Sequence, residues 1–102
     1  MKIQIEAGRL VRCRAATKAD KSIPSSKDTS IAKAFCNKAG FDICNEAMQV
    51  MGGMGYSQES LVEYCFRKSR GWQIAGGSTE MMKNRIAEDI FECRFSQRPT
   101  KK

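Results

Sequence analysis

The chain has 102 residues, 41% of them hydrophobic, and its 18 Lys and Arg against 11 Asp and Glu give a formal net charge of +7. That length bounds it to at most one small domain with a thin stability margin, and the apolar content excludes a disordered tail. No apolar run approaches the roughly 20 residues of a membrane span, and Met1–Glu6 lacks the apolar segment of a secretory signal, so a soluble intracellular protein is the expectation.

Four segments carry helical spacing. The first runs from about Ile3 to Ala19, with Ile3, Ala7, Leu10 and Val11 on one stripe, Ala15 near it, and arginines and Lys18 on the other sides. The stretch Ser22–Ser26 ends it, because Pro24 removes a backbone donor and biases its predecessor away from helix. The second segment is expected to begin near Asp28, Thr29 or Ser30, each able to cap, and to reach about Met51. Ile31, Ala34, Phe35, Ala39, Ile43, Ala47 and Met51 recur there at three- and four-residue intervals, and Ala32, Gly40 and other small residues admit a close neighbour. At 1.5 Å per residue this helix spans roughly 35 Å, long for so short a chain, and points to a bundle that continues beyond it. Gly52, Gly53 and Gly55 stop it, since glycine most readily takes the left-handed conformation after a helix.

A shorter helix is expected from about Ser60 to Ser69, with Leu61, Val62, Cys65 and Phe66 on one side. Gly71–Gly77 reads as a loop, and a last helix runs from Ser78 or Thr79 to about Arg94 with Met81, Met82, Ile86, Ile90 and Phe91 as its stripe. No period-two strand pattern and no internal repeat accompany these, so the fold class is all-α. Residues 1–95 are expected to form the helical unit and 96–102 a basic flexible tail.

Cys13, Cys36, Cys44, Cys65 and Cys93 are odd in number and scattered, with no C-x-x-C pair and no histidine to complete a metal site. They read as reduced core or half-buried thiols in a reducing compartment. Arg9, Arg12, Arg14, Lys18 and Lys21, with Arg98, Lys101 and Lys102, form basic clusters that could meet the phosphates of a nucleic acid, of a cofactor or of coenzyme A. Interspersed acids and the lack of aromatic–basic alternation favour a solvated face and a basic tail over nucleic-acid binding.

Two glycine loops carry more. Gln49–Tyr56 holds three glycines within four residues; it leaves a helix and departs from the dinucleotide pattern at Gln58, so a helix cap and a close approach to a cofactor both remain open. Gly76-Gly77-Ser78-Thr79-Glu80 opens the last helix, where free N–H groups and the positive end of the helix dipole favour an anion, beside the plainer reading of a capped helix.

In order, I-A-K (Ile31–Lys33), A-M-Q-V-M-G-G-M-G-Y (Ala47–Tyr56), a helix containing Arg67, and I-A-G-G-S-T-E-M-M (Ile74–Met82) resemble successive landmarks of the acyl-CoA dehydrogenase C-terminal domain. The resemblance runs from about Ile3 to Phe91. It implies an antiparallel, up-down bundle of about four helices, without the domain's first helix and without the family's other domains. It further implies FAD lying between subunits, with Gln49, Gly52 and Gly53 on the adenine and diphosphate, Ser78 near the flavin's phosphate and ribose, and Glu80 helping to hold the nucleotide. In the complete family a carboxylate removes the α-proton of an acyl-CoA thioester, a β-hydride passes to the flavin, and electrons leave to electron-transferring flavoprotein. Two departures stand out. Gly76 occupies the place where many members carry the catalytic glutamate, and members with glycine there keep the base on a preceding helix, so no catalytic residue is expected in these 102 residues. Lys68 follows Arg67 where an aspartate is usual.

The expectation is therefore part of an FAD-dependent oxidoreductase: a homo-oligomeric piece with cofactor-binding and interface elements, inactive and without tight FAD when alone. Its compartment would be the cytoplasm, or the mitochondrial matrix in a eukaryote. The alternatives are a non-enzymatic helical oligomerisation module and, more weakly supported, a basic nucleic-acid-binding helical domain.

Overall fold

The computed structural model describes residues 1–95; the expected tail, 96–102, lies outside the described residues. The chain forms α1 (Lys2–Lys21), α2 (Ser26–Met51), α3 (Gly53–Tyr56), α4 (Leu61–Trp72) and α5 (Thr79–Ile90). There is no strand among the described residues, as the all-α expectation requires.

The 26-residue α2 is the spine. Its cap is Ser25, whose hydroxyl accepts from the Asp28 N–H at 3.3 Å, so the helix begins before the Asp28, Thr29 or Ser30 expected from sequence. Asp28 has another task. It is 6% exposed, and its two oxygens accept from Arg14 and Lys18 of α1 at 2.8 Å each. Further along the same pair of helices, Cys36 Sγ donates to the Gly8 carbonyl at 3.6 Å and the Met1 amino group meets Glu46 at 3.5 Å. The rising order on one helix against the falling order on the other makes α1 antiparallel to α2.

On its other flank, α2 carries two helices in tandem. The Phe41 and Phe66 rings lie 5.0 Å apart, and Asn37 donates to the Trp72 carbonyl at 2.7 Å, which sets α4 antiparallel along the C-terminal half of α2. Lys27 pairs with Asp89 at 2.7 Å, setting α5 antiparallel along the N-terminal half. Thus α4 and α5 follow one another in the same direction, joined by residues 73–78. The bundle is antiparallel as expected, but α1, α4 and α5 each pack on α2 and not on one another among the described residues.

That plan leaves a plate of 55 × 33 × 19 Å with little interior. Ala39, 7% exposed, is the one buried apolar side chain among the described residues. The stripe expected to bury α1 does so in part: Ala7, Val11 and Ala15 are half-buried, but Ile3 is 85% and Leu10 73% exposed, and Gln4, Gly8 and Ala19 are half-buried beside them. Small residues win that face, since a side chain at Gly8 would already touch Cys36 Sγ at 3.6 Å. Leu61 on α4 and Met81, Ile90 and Phe91 around α5 are likewise exposed. The chain exposes 8145 Å², against roughly 5,800 Å² for a compact protein of this size.

α5 stops at Ile90, short of the expected Arg94. Glu92 takes a left-handed φ of 52° and the Cys93 N–H donates to the Glu88 carbonyl at 3.1 Å, closing the helix end as a Schellman turn does. α4, by contrast, runs on to Trp72, past the expected Ser69.

Candidate functional site

The first loop follows the last turn of α2. Gly52 has φ 58° and ψ −139°, a conformation open to glycine alone, and its N–H donates to the Met48 and Gln49 carbonyls. Gly55 is buried, and a Cβ there would stand 2.8 Å from Met51 Cβ and 3.1 Å from the Met48 carbonyl oxygen. Both glycines are therefore required by the chain itself. Gly53 is not: its φ is ordinary, nothing lies within 4 Å of where its Cβ would be, and it is exposed, as is Gln49. Of the three glycines, Gly53 is the one whose bareness the fold does not use.

The second loop is held from behind by α2. Lys33 Nζ donates to the Ala75 carbonyl at 3.1 Å and also to the Gly76 carbonyl. One turn along, Asn37 donates to Trp72 O and accepts, through its own carbonyl, from the Gln73 side chain at 3.4 Å. The Thr79 N–H returns to Gln73 O at 3.1 Å. Gly76 and Gly77 both have positive φ, 65° and 95°. Ser78 is the N-cap of α5 and its hydroxyl oxygen accepts from the Met81 N–H at 3.4 Å. Glu80 is exposed; its own backbone N–H and then the Ser78 hydroxyl hold its carboxyl below the usual carboxylate range. The first turn of α5 thus already stabilises a negative charge, supplied by the chain, and an incoming phosphate would compete with Glu80 for it.

The two loops do not converge. The second lies beside Lys33 and the first follows Gly52, a separation on the order of 28 Å along α2 at 1.5 Å per residue. Gln49, Gly52 and Gly53 come together at the C-terminal end of the spine, and Ser78 and Glu80 come together beside its N-terminal half. Gly76 has no side chain, and its carbonyl is taken by Lys33. Arg67, lacking an aspartate beside it, bonds Glu63 one turn back at 2.9 and 3.0 Å, while Lys68 sits 5.4 Å over the Tyr64 ring.

Sequence reasoning used Lys33 only as a landmark and passed over Asn37 and Gln73. The available signal was a lysine and an asparagine four residues apart within a run of small and apolar residues. A cavity of about 560 Å³ lies away from both loops, at the α1–α2 turn, lined by Arg14, Lys18, Lys21, Lys27, Asp28 and Asp89 among others. The five thiols are free; Cys36, Cys44 and Cys65 are half-buried as expected, whereas Cys13 and Cys93 face solvent because the α1 outer face and the α5 end are uncovered. Among the described residues no group of side chains could hold a metal ion, and no helix is long and apolar enough to cross a membrane.

A family model described as "Acyl-CoA dehydrogenase, C-terminal domain" matches residues 1–91. The chain is 34% identical over 92 residues to the mitochondrial short-chain specific acyl-CoA dehydrogenase of Bos taurus, covering 90% of this chain and 22% of that protein. It is 31% identical over 98 residues to the 3-sulfinopropanoyl-CoA desulfinase of Paraburkholderia xenovorans, covering 96% and 25%. It is also 36% identical over 89 residues to the cyclohexane-1-carbonyl-CoA dehydrogenase of Geobacter metallireducens, covering 87% and 23%. The chain therefore spans about a quarter of the length of the curated relatives it matches.

Proposed function

The chain belongs to the acyl-CoA dehydrogenase family, as part of its C-terminal domain, and on that premise we propose that it supplies two separate edges of a flavin site shared between copies. Gln49, Gly52 and Gly53 form one edge, toward the adenine and diphosphate of FAD; Ser78 and Glu80 form the other, toward the flavin's phosphate and ribose. The observation that carries this reading is Gly53. It is exposed and free of any internal demand for glycine, as a position approached by a ligand would be. The separation of the loops along α2 supports the sharing, because each then serves a different part of a nucleotide, or a different nucleotide.

The residues present fit such a role. An open backbone and an exposed amide suit a diphosphate, and the N–H groups at the start of α5 suit a phosphate once it displaces the Glu80 carboxylate. The flavin, when bound in a complete enzyme, supplies the capacity to accept a hydride from the β-carbon of an acyl-CoA. This chain's share is to hold and orient the nucleotide; abstraction of the α-proton needs a carboxylate that Gly76 does not provide. We read α,β-dehydrogenation of an acyl-CoA as the activity of the complete protein, electron-transferring flavoprotein as its acceptor, and the cytoplasm or a mitochondrial matrix as its place. The likeness to a desulfinase makes the reaction itself a point for experiment.

A second reading is favoured by the exposed apolar faces. Ile3 and Leu10 on α1, Leu61 on α4 and Ile90 and Phe91 at the end of α5 stand uncovered and support assembly with further copies. The direct test of the main reading is gel filtration of the purified chain mixed with FAD. The flavin is expected to elute apart from the protein, and stoichiometric co-elution would overturn the reading that these residues alone leave the site incomplete.

A further inference from the structure

The side chains that hold the connection between α4 and α5 include Asn37, Gln73 and Lys33. Asn37 and Gln73 secure its first residues. Lys33 reaches the carbonyl of the first of the two glycines. Its ammonium bridges the Ala75 and Gly76 carbonyls and lies 3.2 Å from where a Cβ on Gly76 would stand, whereas a Cβ on Gly77 would meet Met82 Cε at 2.8 Å before Nζ at 3.7 Å. Two successive glycines with positive φ are otherwise the least constrained stretch a chain can have, because each loses more conformational freedom on ordering than any other residue. Two charge-assisted bonds from one ammonium offset that cost at the point where it is largest.

We propose that Lys33 is the positioning residue of this loop: by gripping the Ala75 and Gly76 carbonyls it fixes the backbone that presents Ser78 and the first turn of α5 to the flavin's phosphate. This rests on the reading of Ser78 and Glu80 as a nucleotide-facing edge, and adds a residue that neither touches the nucleotide nor belongs to the loop. The lysine stem runs from the N-terminal half of a long helix, which makes the rigid spine the reference against which the loop is set.

The test uses the full chain, isotopically labelled, with flavin mononucleotide as the probe and Lys33→Met and Ser78→Ala as variants. Methionine keeps the apolar stem and removes the charge. In the wild type, the probe is expected to shift the amides of residues 76–80. In Lys33→Met, hydrogen exchange at the bonded Ala75 and Thr79 amides should rise about tenfold or more, and the probe's effect on residues 76–80 should weaken, while amides of α1 and central α2 keep their protection. Ser78→Ala should lose the probe's effect without altering exchange at Ala75 and Thr79. Exchange that is unchanged in Lys33→Met, or that rises throughout the chain, would overturn the positioning role. So would a probe response lost in Ser78→Ala but intact in Lys33→Met. Absence of any response in the wild type would refute the nucleotide-facing reading itself, and the role with it.

Discussion

Replacing Gly52, Gly53 and Gly55 one at a time by alanine separates what the fold needs from what a ligand needs. Gly52 sits at φ 58°, ψ −139°, and forcing alanine into such a conformation costs about 1–3 kcal/mol. At Gly55 the new Cβ meets Met51 Cβ at 2.8 Å, the Met48 carbonyl oxygen at 3.1 Å and Met48 Cα at 3.2 Å. These neighbours belong to α2 itself and cannot swing aside, so overpacking costs another ~1–3 kcal/mol. At Gly53 the Cβ meets nothing within 4 Å and the backbone needs no positive φ; alanine there is neutral or stabilising by up to about 1 kcal/mol. In a domain of this size 1 kcal/mol moves the midpoint by roughly 4–8 °C. Thermal unfolding followed by circular dichroism should therefore show clear drops for Gly52→Ala and Gly55→Ala, and none for Gly53→Ala. Titration with ADP should show the reverse weighting, with Gly53→Ala weakening the amide shifts around Gln49–Gly53 although its fold is intact. A Gly53→Ala chain as unstable as the other two, or one that responds to ADP like the wild type, would refute the assignment of Gly53 to a ligand.

Two further outcomes follow from the packing. Lys18 and then Arg14, hydrogen-bonded to Asp28, hold its carboxyl down to about 2. A depressed folded-state pKa stabilises above the ordinary value of about 3.9 and loses that contribution as pH falls below it; unfolding curves should shift between about pH 4 and pH 2, and Asp28→Asn should be less stable and lack that dependence. The uncovered face of α1, with Ile3 and Leu10, should drive association, so sedimentation should show mass rising with concentration, and a monomer throughout would contradict the interface reading.

The helices were legible because their caps and breakers are local. α4 and α5 start within a residue of where they were expected, with Ser60 and Ser78 as their caps, and Gly52 ends α2 as expected. The end of α5 was not legible, because its left-handed residue is Glu92, where no glycine announces the turn. Nor was the cap of α2, since three plausible residues follow Ser25 and what excludes Asp28 is a tertiary demand from Arg14 and Lys18. The facing of α1 was legible only in part, at Ala7, Val11 and Ala15, for a related reason. Periodicity marks Ile3 and Leu10 as apolar, but cannot say that α2 prefers the smaller face through Gly8. At the candidate site the motif residues lie on two accessible loops, while the residues that hold the second loop, Lys33, Asn37 and Gln73, act through main-chain carbonyls that leave no trace in residue type.

The central question is whether one chain offers two separate, incomplete edges for one kind of nucleotide. An amide-resolved titration of the labelled chain with FAD measures this directly. Weak, saturable shifts confined to residues 49–53 and 76–80, with no flavin retained through gel filtration, are the predicted result. Shifts centred on the basic outer face of α1, or none in either loop, would contradict it.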